Sequence, residues 1–110
     1  LINTSIKADC FIIQINESIY PDNCEEIISC FNEAFKNQLP IVVLDLTEVE
    51  VIYSSGITSL VQFFTQLKSN NRELILVGIQ EGVLKVFKLL GLHQLFRFAE
   101  TLENALATRS

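Results

Sequence analysis

The chain has 110 residues, 49% of them apolar, a mean hydropathy of +0.36 and a net charge of −5. That is enough for one core and too little for two, so a single domain over 1–110 is expected, and so apolar a chain does not stay disordered. The acidic balance, with eight basic residues scattered along the sequence, points away from nucleic acid or an anionic membrane as the main partner.

No apolar run approaches the ~20 residues of a membrane span, because polar residues interrupt each one, so no membrane insertion is expected. The N-terminal residues lack the basic start and apolar centre of a signal peptide. With Leu1 in place of methionine, the sequence reads as a trimmed piece. Cys10, Cys24 and Cys30 make an odd count without C-x-x-C spacing, which suits buried free thiols in a reducing cytoplasm. His93 is the single histidine and has no histidine or cysteine nearby to complete a metal shell. No metal and no cofactor are expected.

In chain order, strands are predicted over 4–8 and 10–15 around a polar break at Asp9. Pro21, Asp22 and Asn23 then signal a helix start, and Asp22 with Glu25 has capping-box spacing. The helix that follows carries Cys24, Ile27, Ile28, Phe31, Ala34 and Phe35 on one stripe and must end before Pro40. Residues 41–45, IVVLD, are apolar on both faces until Asp45, which suits the middle of a sheet. A second helix from about 55 to 69 turns Ile57, Leu60, Val61, Phe64 and Leu67 inward. LILV at 74–77 is another buried strand. A third helix, roughly 81–90, turns Val83, Val86, Phe87 and Leu90 inward, and Gly91 suits a left-handed cap followed by the Leu92 contact. Phe96-Arg97-Phe98 alternates like a short edge strand. Thr101 is placed to cap a last helix bearing Leu102, Ala105 and Leu106.

Apolar strands alternating with amphipathic helices predict an α/β fold with a parallel-containing sheet. Such folds meet ligands and partners at the carboxyl ends of the strands, where Asp45, Tyr53, Ser54, Ser55, Gly56 and Gly78 fall. Ser54 and Ser55 stand at a helix entrance, where backbone N–H groups lack partners and the macrodipole is positive. Either hydroxyl can cap those donors, and a phosphate on a serine there would be favoured. As a cap alone or as a functional group, the serine pair is explained equally well. Gly56 leaves the adjacent backbone unshielded. Thr58, Gln62 and Thr65 form an uncharged polar strip beyond the serines, easily covered by a partner because no charge has to be desolvated. A hydrolase is disfavoured: Ile52 stands where G-x-S-x-G needs its first glycine. Nucleotide-binding loops are missing too, so no catalytic residue is assigned.

The run VVLDLTEVEVIYSSGITSL, then ELILVGIQEGVLKVFKLLGLHQLF and a closing TLENAL, resembles the STAS domain from about 12 to 107. That family includes the anti-sigma factor antagonists and the cytoplasmic domains of sulfate transporters. The resemblance implies a single-domain mixed sheet with about four helices packed on it, and a binding role without catalysis. It implies a cytoplasmic partner that is both a serine kinase and an anti-sigma factor. Phosphorylation of the first serine of Asp-Ser-Ser-Gly, here Ser54, ends the binding, and a phosphatase restores it. Ser55 is then the capping residue. Asp45, Tyr53, Ser55, Gly56, Thr58, Gln62 and Thr65 are the expected partner-binding residues. This chain departs from the family pattern twice: Tyr53 replaces the acidic residue before the acceptor, and Glu17 stands where many members have glycine. Tyr53 keeps open a second role, a non-phosphorylated STAS-like accessory subunit of a transport or signalling complex.

Overall fold

The computed structural model describes residues 2–107. Strands β1 (Ile2–Lys7), β2 (Cys10–Ile15), β3 (Ile41–Asp45), β4 (Glu73–Val77) and β5 (Arg97–Ala99) form one sheet in sequence order. β1 pairs antiparallel with β2, and every later pair is parallel, with Val43 opposite Ile75 in the β3–β4 register. The first strand ends one residue earlier than its pattern predicts. Ala8 and Asp9 both take positive φ, 53° and 63°, which makes them the two-residue hairpin turn between Lys7 and Cys10.

Helices α1 (Cys24–Asn37), α2 (Ser54–Ser69) and α3 (Glu81–Leu89) cross between successive parallel strands, and α4 (Leu102–Ala107) closes the described chain. Each crossover steps the same way along the sheet, so right-handed connections lay all three crossover helices on one face. Their side chains join Phe11, Ile13, Val42, Leu44, Leu74 and Leu76 in the main core. The opposite face, with Ile12, Val43, Ile75 and Val77, is buried around Ala105, with Leu102 and Leu106 packed against it. This is why β3 and β4 are apolar on both sides.

Four local expectations change. The Asp22–Glu25 capping box does not form. A 3₁₀ turn, Pro21–Asn23, precedes α1 instead, and Asn23 Oδ1 accepts from Tyr20 N at 2.9 Å while its Nδ2 donates to Ser18 O at 2.8 Å. Ile28 is exposed rather than part of the α1 stripe. In α2 the fully buried aromatic is Phe63, stacked on Phe31 with centroids 4.3 Å apart. Phe64 is half-buried at the border, edge-on to Phe96 at 5.0 Å. Leu90 lies beyond the last turn of α3 and is 57% exposed. Gly91 does take the left-handed cap, φ 72°, with Leu92 packed against the core. The Thr101 hydroxyl accepts from Asn104 N at 3.1 Å at the start of α4.

Arg72, between α2 and β4, locks the far end of the molecule. Its guanidinium donates to the carbonyls of Leu39 (2.6 Å), Phe35 (2.9 Å) and Ala34 (2.8 Å), and it lies over the Phe35 ring. The last carbonyls of a helix have no intrahelical donors, so one planar cation supplies two of them in α1, at Ala34 and Phe35, and ties the loop after it at Leu39. Its partial burial lowers the Arg72 pKa from the usual arginine range.

Candidate functional site at the start of the second crossover helix

The carboxyl ends of β2 and β3 lead into two loops that are tied to each other. Ile19 N donates to Val51 O at 2.8 Å and Tyr53 N to Ile19 O at 2.9 Å, a short parallel bridge of Ile19 with Ile52. Ser18 Oγ accepts from Glu50 N and Val51 N at 3.1 and 3.0 Å. The entrance of α2 is therefore held by backbone pairing on its approach.

Tyr53, not Ser55, is the residue preceding the helix. Its carbonyl accepts from Gly56 N at 2.9 Å and Ile57 N at 3.1 Å, and no side chain caps this end. Ser54 and Ser55 both lie inside the first turn. A capping side chain must come from an extended residue before the helix, and Tyr53 occupies that extended position. Ser55 Oγ is instead engaged by Cys24 Sγ at 3.5 Å, which ties the start of α1 to that of α2. Ser54 is exposed, and its hydroxyl has no hydrogen-bond partner among the described residues. Its carbonyl accepts from Thr58 Oγ1 at 3.0 Å. The Ser54 hydroxyl is thus exposed in the first turn of a helix whose approach is held by backbone pairing.

Gly56 is buried, so it does not present open backbone to a partner. A Cβ there would sit 2.5 Å from Ile19 Cγ2 and 3.2 Å from Ile52 Cγ1. The glycine lets the helix start press onto the Ile19–Ile52 bridge. Thr58, Gln62 and Thr65 are exposed along the outer side of α2, with Thr65 Oγ1 donating to Val61 O at 2.9 Å. Asp45 is half-buried and engaged internally. Its Oδ1 accepts from Thr47 N (3.0 Å) and Thr47 Oγ1 (2.6 Å), and its Oδ2 from Gln14 Nε2 (3.3 Å).

Gly78 shares this corner. Its φ is 67°, and a Cβ would collide with Thr47 Oγ1, the group that holds Asp45. Gly78→Ala is expected to cost about 2 kcal/mol through a strained left-handed residue and a displaced threonine. A fall in Tm of roughly 8–16 °C would show it.

Tyr20 carries no warning in the sequence, yet its ring meets that of Tyr53 at 5.3 Å, tilted by 51°. The two residues are 33 positions apart, and only loop pairing joins them. Among the described residues, neither serine hydrogen-bonds His93 and the buried Nδ1 of His93 has no hydrogen-bond partner. Among the described residues, no group of His, Cys, Asp and Glu could hold a metal ion, and no helix is long and apolar enough to cross a membrane.

The sequence pattern of the STAS domain matches residues 2–105. The chain belongs to the STAS domain family. Its fold is similar to an anti-sigma-factor antagonist (STAS) domain protein from Planctomyces limnophilus, with a TM-score of 0.88, 22% identity, and coverage of 99% of this chain and 97% of that one. The Bacillus cell fate determinant SpoIIAA in its phosphorylated form is similar over 100% of both chains, with a TM-score of 0.78 and 17% identity. A sulfate transporter family protein from Wolinella succinogenes matches 94% of this chain and 87% of its own, with a TM-score of 0.79 and 16% identity. In this STAS domain the site corner combines an exposed serine, an internally satisfied aspartate and an aromatic pair.

Proposed function

We propose that this STAS domain is an anti-sigma factor antagonist that acts in the cytoplasm. It binds a partner that is both an anti-sigma factor and a serine kinase, through Tyr53, Ser54 and the Thr58–Gln62–Thr65 side of α2. Phosphorylation of Ser54 ends that association, and a phosphatase restores it. The observation that carries the reading is the exposed Ser54 hydroxyl in the first turn of α2, which has no hydrogen-bond partner among the described residues. There the helix start accommodates a phosphate and the hydroxyl is open to a kinase. Ser55, held by Cys24, is the less available of the two. Asp45 and Gly56 shape the corner from inside. The domain contributes no catalysis of its own.

The test is to incubate the domain with the serine-kinase anti-sigma factor of the same genome and radiolabelled ATP. Wild type is expected to take label on Ser54, and Ser54→Ala is expected to bind the partner but take none. Label on Ser55, or on both variants equally, would remove Ser54 as the acceptor. Tyr53 before the acceptor, together with the likeness to the sulfate transporter family protein, favours one second reading: a constitutive accessory subunit of a transport or signalling complex. In that case Ser54 is never labelled and partner binding survives its substitution.

A further inference from the structure

We infer that Tyr20 and Tyr53 form an arginine-binding anchor beside Ser54, so that the protein docking here presents a basic, arginine-bearing face. The inference rests on the reading of this corner as a partner site and adds the chemistry of what it takes.

Tyr20 and Tyr53 are 43% and 48% exposed while their rings remain in contact. Their faces do not fill the core, so core packing does not account for them. Their placement is rigid all the same. Tyr20 leads into the 3₁₀ turn, with its N–H held by Asn23 Oδ1, and Tyr53 leads into α2, with its N–H held by Ile19 O. Gly56 lets Ile19 sit under the helix start. A pair already ordered in the free protein loses little entropy on binding, which is the property of an interface hot spot.

The surrounding charge selects the occupant. Segments 16–27, 46–57 and 78–84 follow the carboxyl ends of β2, β3 and β4 and contain no lysine or arginine. They carry Asp22, Glu25, Glu48, Glu50 and Glu81. An acidic partner would meet like charge across this whole pole, and a basic one is steered onto it. Tyrosine faces attract cations through the ring quadrupole. Arginine fits better than lysine because its planar, weakly hydrated guanidinium stacks on a ring while its edge donates to carboxylates.

Two measurements test this. In the first, the isolated domain is titrated with an arginine–glycine repeat peptide and with a lysine–glycine peptide of equal length, reading the ring protons of Tyr20 and Tyr53. The arginine peptide is expected to shift both rings saturably, several-fold more tightly than the lysine peptide, with the response fading as salt rises. Equal responses to the two peptides, or no ring shift, overturn the anchor. The second measures affinity for the serine-kinase anti-sigma factor. Tyr20→Ala and Tyr53→Ala are each expected to weaken it about ten- to hundredfold, and Tyr53→Phe to retain it. Unchanged affinity in both alanine variants, with loss in Ser54→Asp, overturns the anchor and leaves the switch standing. A full arginine response with Ser54→Asp binding like wild type does the opposite.

Discussion

Ser54→Asp is expected to bind the proposed anti-sigma partner roughly a hundredfold more weakly than wild type while staying folded. A phosphoserine here adds about −1.5 to −2 charges, and an aspartate adds one. Within the domain that charge is tolerable, because Ser54 lies in the first turn of a 16-residue helix whose N-terminal dipole favours anions. Across the interface it is not. A kinase brings the terminal phosphate of its nucleotide up to the acceptor hydroxyl, so a charged residue 54 faces like charge where a hydroxyl fits. Desolvation of the anion adds to the penalty. A loss of ~3 kcal/mol corresponds to about two orders of magnitude in affinity. The basic face proposed for the Tyr20–Tyr53 pair does not remove this effect, because it acts on the neighbouring rings and not on the phosphate-facing hydroxyl. Titration calorimetry of wild type, Ser54→Ala and Ser54→Asp against the partner gives the result directly, with thermal unfolding as the control for folding. Wild-type affinity in Ser54→Asp would end the switch and leave the constitutive subunit.

Arg72→Ala is expected to lower stability by about 3 kcal/mol without touching partner binding. The guanidinium donates three hydrogen bonds to Ala34, Phe35 and Leu39 carbonyls at the end of α1. Truncation leaves those acceptors to find water at a half-buried position and removes the cation from a helix C-terminus. Urea unfolding should show a lower midpoint with an unchanged slope, and Tm should fall by roughly 12–24 °C. Arg72→Lys should recover only a minor part, since a single ammonium cannot reproduce the planar fork. Arg72 lies at the amino ends of the strands, away from Ser54 at the carboxyl ends. Partner affinity of the folded variant should therefore match wild type, which separates a stability defect from an interface defect.

Much of the fold was legible because its signals are local. The apolar runs at 41–45 and 74–77, the stripe from Cys24 to Ala34 and the glycine after α3 each reflect periodicity or backbone conformation within a few residues. The parallel β3–β4 pairing followed from helices alternating with strands. The serine pair at the start of α2 was legible for the same reason, since a change of period between Tyr53 and Ile57 marks a helix entrance. What failed was one step finer. A helical stripe can rotate by one residue without breaking its period, and the aromatic stack on Phe31 selected Phe63 over Phe64. The extended backbone of Tyr53 likewise moved both serines into the helix and handed the Ser55 hydroxyl to Cys24.

The sequence by itself determined the α/β class, the family, the order of the elements and the corner where Ser54 lies, because these depend on residues near one another in the chain. The tertiary structure alone decided which distant side chains meet. Tyr20 reaches Tyr53 through the Ile19–Ile52 bridge, and Arg72 reaches Ala34 across 38 positions, and no periodicity encodes such pairs. It also decided the charge pattern. Acids occupy the first turns of α1 and α3, and Lys36, Lys68 and Lys88 the last turns of α1, α2 and α3, as the helix dipole favours. Parallel strands with crossover helices point all three of those helix starts to one pole and their ends to the other. Charges that look scattered along the sequence are thereby sorted in space, leaving the Ser54 pole acidic.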